Sequence, residues 1–328
     1  MKPFLKISIG ARTPDLHGGL RVAVGHLTVD EKNIVGSFMG SPNVSRQRKK
    51  VLSELLNDVV KHGVRYPKQQ VDLLVLPEVS VPHRWATFIT QWAKQHQVGV
   101  ICGLEHRVDD RGRAWNELLA ALPFRSANGS KECAPIRRLK KHYSPEEDFK
   151  LTNNNFKVPN LPARSRYQLF QWRGASFAVY NCYELASLED RCLFKGMVDF
   201  IVCSEFNRDV NYFSNIVESA ARDLHCYVIQ VNSAQFGDSR VVSPSTTEKQ
   251  KNNPLRIKGG DNQTFLTMRL PLGQLRSHQL KRYGLQKDSN DYKPTPPDFD
   301  SAEIEKRIRL GRNNSKQLNA DSMDSTAT

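Results

Sequence analysis

Three side chains in this sequence pair reactive chemistry with a position that could hold them still. Glu78 closes Leu74-Val75-Leu76-Pro77-Glu78, just past an apolar, β-branched run. A carboxylate there stands at the carboxyl end of a buried strand, where open α/β sheets carry their active sites, and it could serve as a general base. Taken alone, such a carboxylate is more often a solvated loop residue. Cys182 ends a second apolar run, Ala178-Val179-Tyr180-Asn181-Cys182, and a polar segment follows. A strand-to-turn junction exposes a thiol as a nucleophile, with the next backbone N–H, that of Tyr183, free to serve as an oxyanion donor. By itself Cys182 divides evenly between that role and a buried core thiol. Lys140, in Arg138-Leu139-Lys140-Lys141-His142-Tyr143, could lower a thiol's pKa and bind an oxyanion. In isolation it reads as part of a basic surface loop.

These positions need a framework, and the chain supplies one as strands alternating with helices. Leu20–Val29 has strand character; Val51, Leu52, Leu55, Leu56, Val59 and Val60 recur at helical spacing; Val71–Leu76 is a continuous apolar strand that Pro77 ends. Trp85, Phe88, Ile89 and Trp92 mark an amphipathic helix, followed by strands over Val98–Leu104 and Trp115–Leu122. The second half repeats the scheme: strands at Phe177–Cys182, Phe200–Cys203, Cys226–Val231 and Gln263–Leu270, helices at Ser187–Gly196 and Asn215–Leu224. The pattern predicts one layered α/β domain over 1–272, its core at about 20–270. Ser243–Gly260 is polar and rich in breakers and reads as a long loop. Residues 273–328 hold 14 hydrophobic residues in 56, against 39% overall, and read as a polar tail, largely disordered or docked on a partner, with a short helix possible over Ala302–Leu310.

Charge and composition exclude several classes. The formal net charge is +14, of which the tail contributes only two, with basic clusters at residues 46–50, 137–141 and 249–258. That field favours acidic partners such as nucleic acid, although no nucleic-acid motif accompanies it. No apolar run is long enough to span a bilayer. The N-terminus has no apolar targeting segment and the six cysteines form no C-x-x-C pair, so a reducing cytoplasm is expected. The nine histidines never pair at H-x-x-x-H spacing, and neither phosphate-binding glycine motif occurs, so neither metal nor cofactor is expected. His142 and His225 read as structural residues.

Together, Glu78, Lys140 and Cys182 resemble the nitrilase, or carbon–nitrogen hydrolase, superfamily. Leu-Pro-Glu after a strand is similar to that family's first motif; Lys140-Lys141-His142 resembles its Lys-x-His segment; Asn181-Cys182-Tyr183-Glu184 resembles its nucleophile motif. Glu218-Ser219-Ala220-Ala221-Arg222, Val231-Asn232-Ser233 and Gly237-Asp238-Ser239 running to Pro244 continue the likeness, which covers about Leu20–Leu270. The resemblance implies a four-layer α-β-β-α sandwich and thiol acyl-transfer chemistry on small amide, carbamoyl or nitrile substrates. It makes Cys182 the nucleophile, Glu78 the base, and Lys140 with the Tyr183 N–H the oxyanion site. It also implies a second glutamate after the lysine. Glu147 is the choice and Glu146 the alternative, because the spacing is shorter than in some relatives. A homodimer or larger homo-oligomer is implied as well.

Asn207 and Arg208, after a strand end, could hold an anionic or carbonyl substrate group, or could be ordinary loop residues. The Leu-Pro-Glu-Val-Ser-Val-Pro-His-Arg-Trp and Lys-Lys-His-Tyr-Ser-Pro-Glu-Glu stretches are more loosely similar to nitrilase-like domains beside bacterial defence reverse transcriptases. That likeness keeps a second expectation: a binding or assembly module, catalytically silent or specialised, working with a nucleic-acid enzyme.

Overall fold

Leu73 and Val75 point into one apolar cluster while Leu74 and Leu76, one step along, point into another. Phe177 and Val179 likewise face the first cluster, and Ala178 and Tyr180 a third. Period-two alternation with both faces apolar is what a strand needs when its sheet is covered on both sides. The computed structural model, which describes residues 3–10, 19–248, 251–289 and 291–309, builds this into two sheets packed face to face.

One sheet runs in the order β1 (Phe4–Ile9), β7 (Tyr167–Trp172), β8 (Ala175–Asn181), β9 (Phe200–Ser204), β10 (Tyr227–Val231), β11 (Ser239–Val242) and β12 (Leu255–Ile257). The other runs β13 (Thr264–Leu270), β2 (Leu20–His26), β3 (Leu73–Val75), β4 (Gly99–Val108), β5 (Ala114–Arg125) and β6 (Lys131–Leu139). The inner cluster lies between them. Helices α2 (Arg46–Arg65) and α3 (Ala86–His96) cover the outer face of the second sheet, and α7 (Val210–Leu224) that of the first. This is the expected four-layer α-β-β-α sandwich. Because β8, β9 and β10 are parallel, their carboxyl ends emerge together. So do those of β3 and β4, and of β6, which returns antiparallel to β5. Helices α1 (Glu31–Phe38) and α4 (Pro145–Asn153) stand over those ends; α5 (Pro162–Ser165) leads into β7 and α6 (Leu188–Cys192) follows the turn after β8.

Three expectations change. β1 pairs in parallel with β7, outside the range read as core. The loop over Ser243–Gly260 contains β12, antiparallel to β11; Lys249 and Gln250 fall outside the described residues. The tail, expected to be largely disordered or docked on a partner, lies on its own domain as far as residue 309. Helix α8 (Leu272–Gln279) carries Leu272 and Leu275 into the inner cluster, the segment between α9 (Tyr283–Lys287) and α10 (residues 301–309) adds Tyr292, and α10 buries Ile304. Charge anchors it. Asp199, fully buried before β9, accepts from Ser176 N–H at 2.7 Å and pairs with Arg276 at 2.6 Å and with Arg307. Burial opposes ionisation of Asp199, but the two guanidinium groups outweigh it and hold the carboxyl below its ordinary range. Low apolar content therefore did not prevent docking, because paired arginines neutralise a buried carboxylate that the body already presents. Residues 310–328 lie outside the described residues.

Candidate active site

Glu78 follows Pro77 beyond β3 and is buried. Its Oε1 accepts from Lys140 Nζ at 2.7 Å and from Asn116 Nδ2 at 2.9 Å. Lys140, the first residue past β6, is almost fully buried, and its ammonium also donates to Glu147 Oε2 at 2.7 Å. Burial opposes the charge, but the carboxylates of Glu147 and Glu78 outweigh it and raise the pKa well above the ordinary lysine value. Lys140 thus stays a cation although its side chain is buried.

Glu147 reaches this cluster because Ser144 caps α4, its Oγ accepting from Glu147 N–H at 3.2 Å, with Pro145 in the first turn. The Glu147 carboxylate accepts from Asn116 Nδ2 at 2.7 Å and lies 2.9 Å from His106 Nε2. Burial opposes its charge, yet Lys140 and His106 hold it far below the usual carboxylate range. Glu146, one residue earlier, is exposed and pairs with Lys150 at 2.7 Å. Lys141 and His142 turn away to Asp190, each at 2.6 Å.

Cys182 is the first residue of a one-turn 3-10 helix, Cys182–Ala186, and has φ +48°. A non-glycine residue in this region is strained and must be held by its surroundings. Here Glu184 holds it: its carboxylate accepts from Asn181 N–H at 2.7 Å and is gripped by Arg138 through two bonds of 2.7 and 2.6 Å. Burial first, then the Glu78 carboxylate, push the Cys182 thiol well above its ordinary pKa, and Lys140 only partly offsets them. At rest the nucleophile candidate is a neutral thiol.

Glu78, Lys140, Glu147, Cys182 and Tyr183 line one cavity of about 480 Å³. Asn207 and Arg208 border it too, with engaged polar ends. The Asn207 amide bridges to the backbone of Asp209, and Arg208 pairs with Glu31. Sequence reading missed Asn116, which joins the two glutamates, and His106, which holds Glu147. Their only signal was polarity interrupting the apolar runs of β5 and β4. Glu205 is fully buried past β9, with Oε2 accepting from Gln230 Nε2 at 2.8 Å.

No family model matches this sequence, and no curated protein matches it. Solved structures do. A CN-hydrolase superfamily protein from Xanthomonas campestris, XC1258, described with an arsenic adduct in its active site, superposes with a TM-score of 0.56 at 14% identity, covering 84% of this chain and 98% of its own. An amidase from Nesterenkonia sp. gives 0.51 at 15% identity over 82% and 95%. A variant of that amidase, carrying the acetamide moiety of fluoroacetamide added covalently at the active site cysteine, gives 0.52 at 14% over 84% and 98%. The chain therefore has the fold of CN-hydrolase superfamily proteins.

Proposed function

We propose that this chain, built on that fold, is a thiol-dependent hydrolase of non-peptide carbon–nitrogen bonds in small amide, carbamoyl or nitrile substrates, with Cys182 as nucleophile. The observation that carries the reading is the Lys140 ammonium held at 2.7 Å from both Glu78 and Glu147 in the cavity that Cys182 lines. A buried cation fixed by two carboxylates is preorganised for a developing oxyanion and pays no reorganisation when charge appears.

For an amide, the Cys182 Sγ–H proton passes to Glu78 as sulfur attacks the carbonyl carbon; the C–S bond forms and the π pair moves onto oxygen. The raised thiol pKa suits this route, since the proton leaves only as the attack proceeds. Lys140 and the Tyr183 N–H receive the oxyanion. Collapse of the intermediate breaks the C–N bond, with Glu78 returning its proton to the departing amine and leaving a thioester. Water then gives a proton to Glu78 and attacks the thioester; the acid departs and the thiol regains its proton. Glu147 orients Lys140 and, through Asn116, Glu78. The resemblance further leads us to propose a homodimer, which a solution mass of one chain would reject.

The test is intact-protein mass spectrometry after incubation with iodoacetamide and a panel of small amides, nitriles and carbamoyl compounds, comparing wild type with Cys182→Ala. Fast labelling or acyl trapping that vanishes in the variant supports the reading. Equal, slow labelling of both proteins rejects it and favours a binding or assembly role.

A further inference from the structure

The walls of the cavity differ sharply from its floor. Helix α1 turns Ile34, Val35 and Phe38 towards it, α4 adds Leu151, and Phe206 and Phe213 close the side of the first sheet. Phe38 and Leu151 are themselves packed into a small apolar cluster with Ala114, so this wall is a fixed surface. The charged side chains at the rim are already engaged. Glu31 pairs with Arg208, Glu146 with Lys150 at 2.7 Å, and Asp209 caps α7 by accepting from Tyr212 N–H at 3.3 Å. On the floor, Lys140 is neutralised by Glu78 and Glu147.

We infer that the acyl half of the substrate is an uncharged, apolar chain larger than acetyl, lying against α1, Phe206 and Phe213 while its carbonyl reaches Cys182 and Lys140. This inference rests on the thiol acyl-transfer reading above. A charged substituent would have to break an existing ion pair or lose its hydration without a counter-charge, whereas each added methylene removes apolar surface from water on both partners. Arg208 then forms part of the rim together with Glu31 and does not receive an anionic substrate group.

The test measures ammonia release by the full chain from acetamide, butanamide, hexanamide, 6-aminohexanamide and the monoamide of adipic acid. The expected kcat/KM rises about fourfold per added methylene along the neutral series. Both charged analogues fall at least about tenfold below hexanamide, and Val35→Asp lowers the hexanamide-to-acetamide ratio by a similar factor. A flat neutral series, or a charged analogue equal to hexanamide, overturns the inference. If no compound releases ammonia, turnover of these amides is excluded, and calorimetric binding to Cys182→Ala protein then decides the pocket separately. Hexanamide binding more tightly than both charged analogues supports the apolar site; equal or weaker binding overturns it.

Discussion

Arg138 and Glu184 form a buried, bidentate ion pair, and each stands two residues from a reactive side chain: Arg138 before Lys140, Glu184 after Cys182. The pair ties the end of β6 in one sheet to the turn after β8 in the other. Removing one partner of such a pair costs about 3–5 kcal/mol because the other is left buried and uncompensated. We expect Arg138→Met to lose that much stability in urea titration. Replacing both residues, as Arg138→Met with Glu184→Met, should restore most of the stability but not turnover, since the strained Cys182 turn loses its clamp. Turnover close to wild type in the double variant would reject the positioning role.

Gly103 sets the height of Glu78. A β-carbon at Gly103 would come within 2.5 Å of Glu78 Cα and Val79 N, both backbone atoms that cannot swing aside. Gly103 also accepts from Ser80 and Val81 N–H and donates to the Pro77 carbonyl. Gly103→Ala should therefore cost about 1–3 kcal/mol of stability. If Glu78 is the base proposed above, the substitution should also lower kcat on the order of a hundredfold by displacing that carboxylate about an ångström. Circular dichroism together with single-turnover acylation of Cys182 separates the two effects; unchanged acylation would show that the Glu78 loop moves freely.

Glu205 should make stability fall with rising pH. Burial first, with Glu78 adding to it, pushes its pKa up to about 8 from 4.5, against the opposing hydrogen bonds of Gln230 and Cys203. A carboxyl raised in the folded state contributes stability that is complete below its unfolded value and is lost as pH rises through the folded one. Between about pH 4.5 and about pH 8 the protein should lose stability on the order of a few kcal/mol from this group, and Glu205→Gln should flatten that slope. Urea titrations at the two pH values measure it; an unchanged slope in the variant would assign the effect elsewhere.

Arg307 anchors the tail at the end of the strands remote from the site, beside Asp199. Arg307→Leu should cost about 3 kcal/mol, measured by thermal unfolding. Asp199, less depressed without this cation, should then lose part of the contribution that normally disappears as pH falls. KM should stay at the wild-type value, because the variant touches nothing near Cys182. A change in KM would mean that the tail communicates with the cavity.

Strands that carry a reactive residue at their ends were readable because their signal is local: an apolar run closed by Pro77-Glu78, another closed by Asn181-Cys182. Lys140 was harder to read. It lies in a basic stretch whose strand, β6, alternates weakly because only its last residues are buried. Asn116 and His106 gave no usable sign. A polar residue in a strand reads as solvent-facing until the packing shows that Asn116 Nδ2 bridges Glu78 and Glu147. The tail misled for a related reason, since its composition counts apolar residues but not the buried Asp199 that two of its arginines would meet.

By itself, the sequence determined the layered α/β class, the positions of Glu78 and Cys182 at strand ends, and an ordered set of motifs resembling one superfamily. These depend on alternation, chain breakers and spacing, all short-range properties. Tertiary structure decided which glutamate meets Lys140. The cap at Ser144 starts α4 so that Glu147 faces inward, while Glu146, about 100° around the helix, faces solvent. It also decided that Cys182 rests as a neutral thiol, because desolvation and the nearby Glu78 carboxylate arise only when two sheets, far apart along the chain, close over the same cavity.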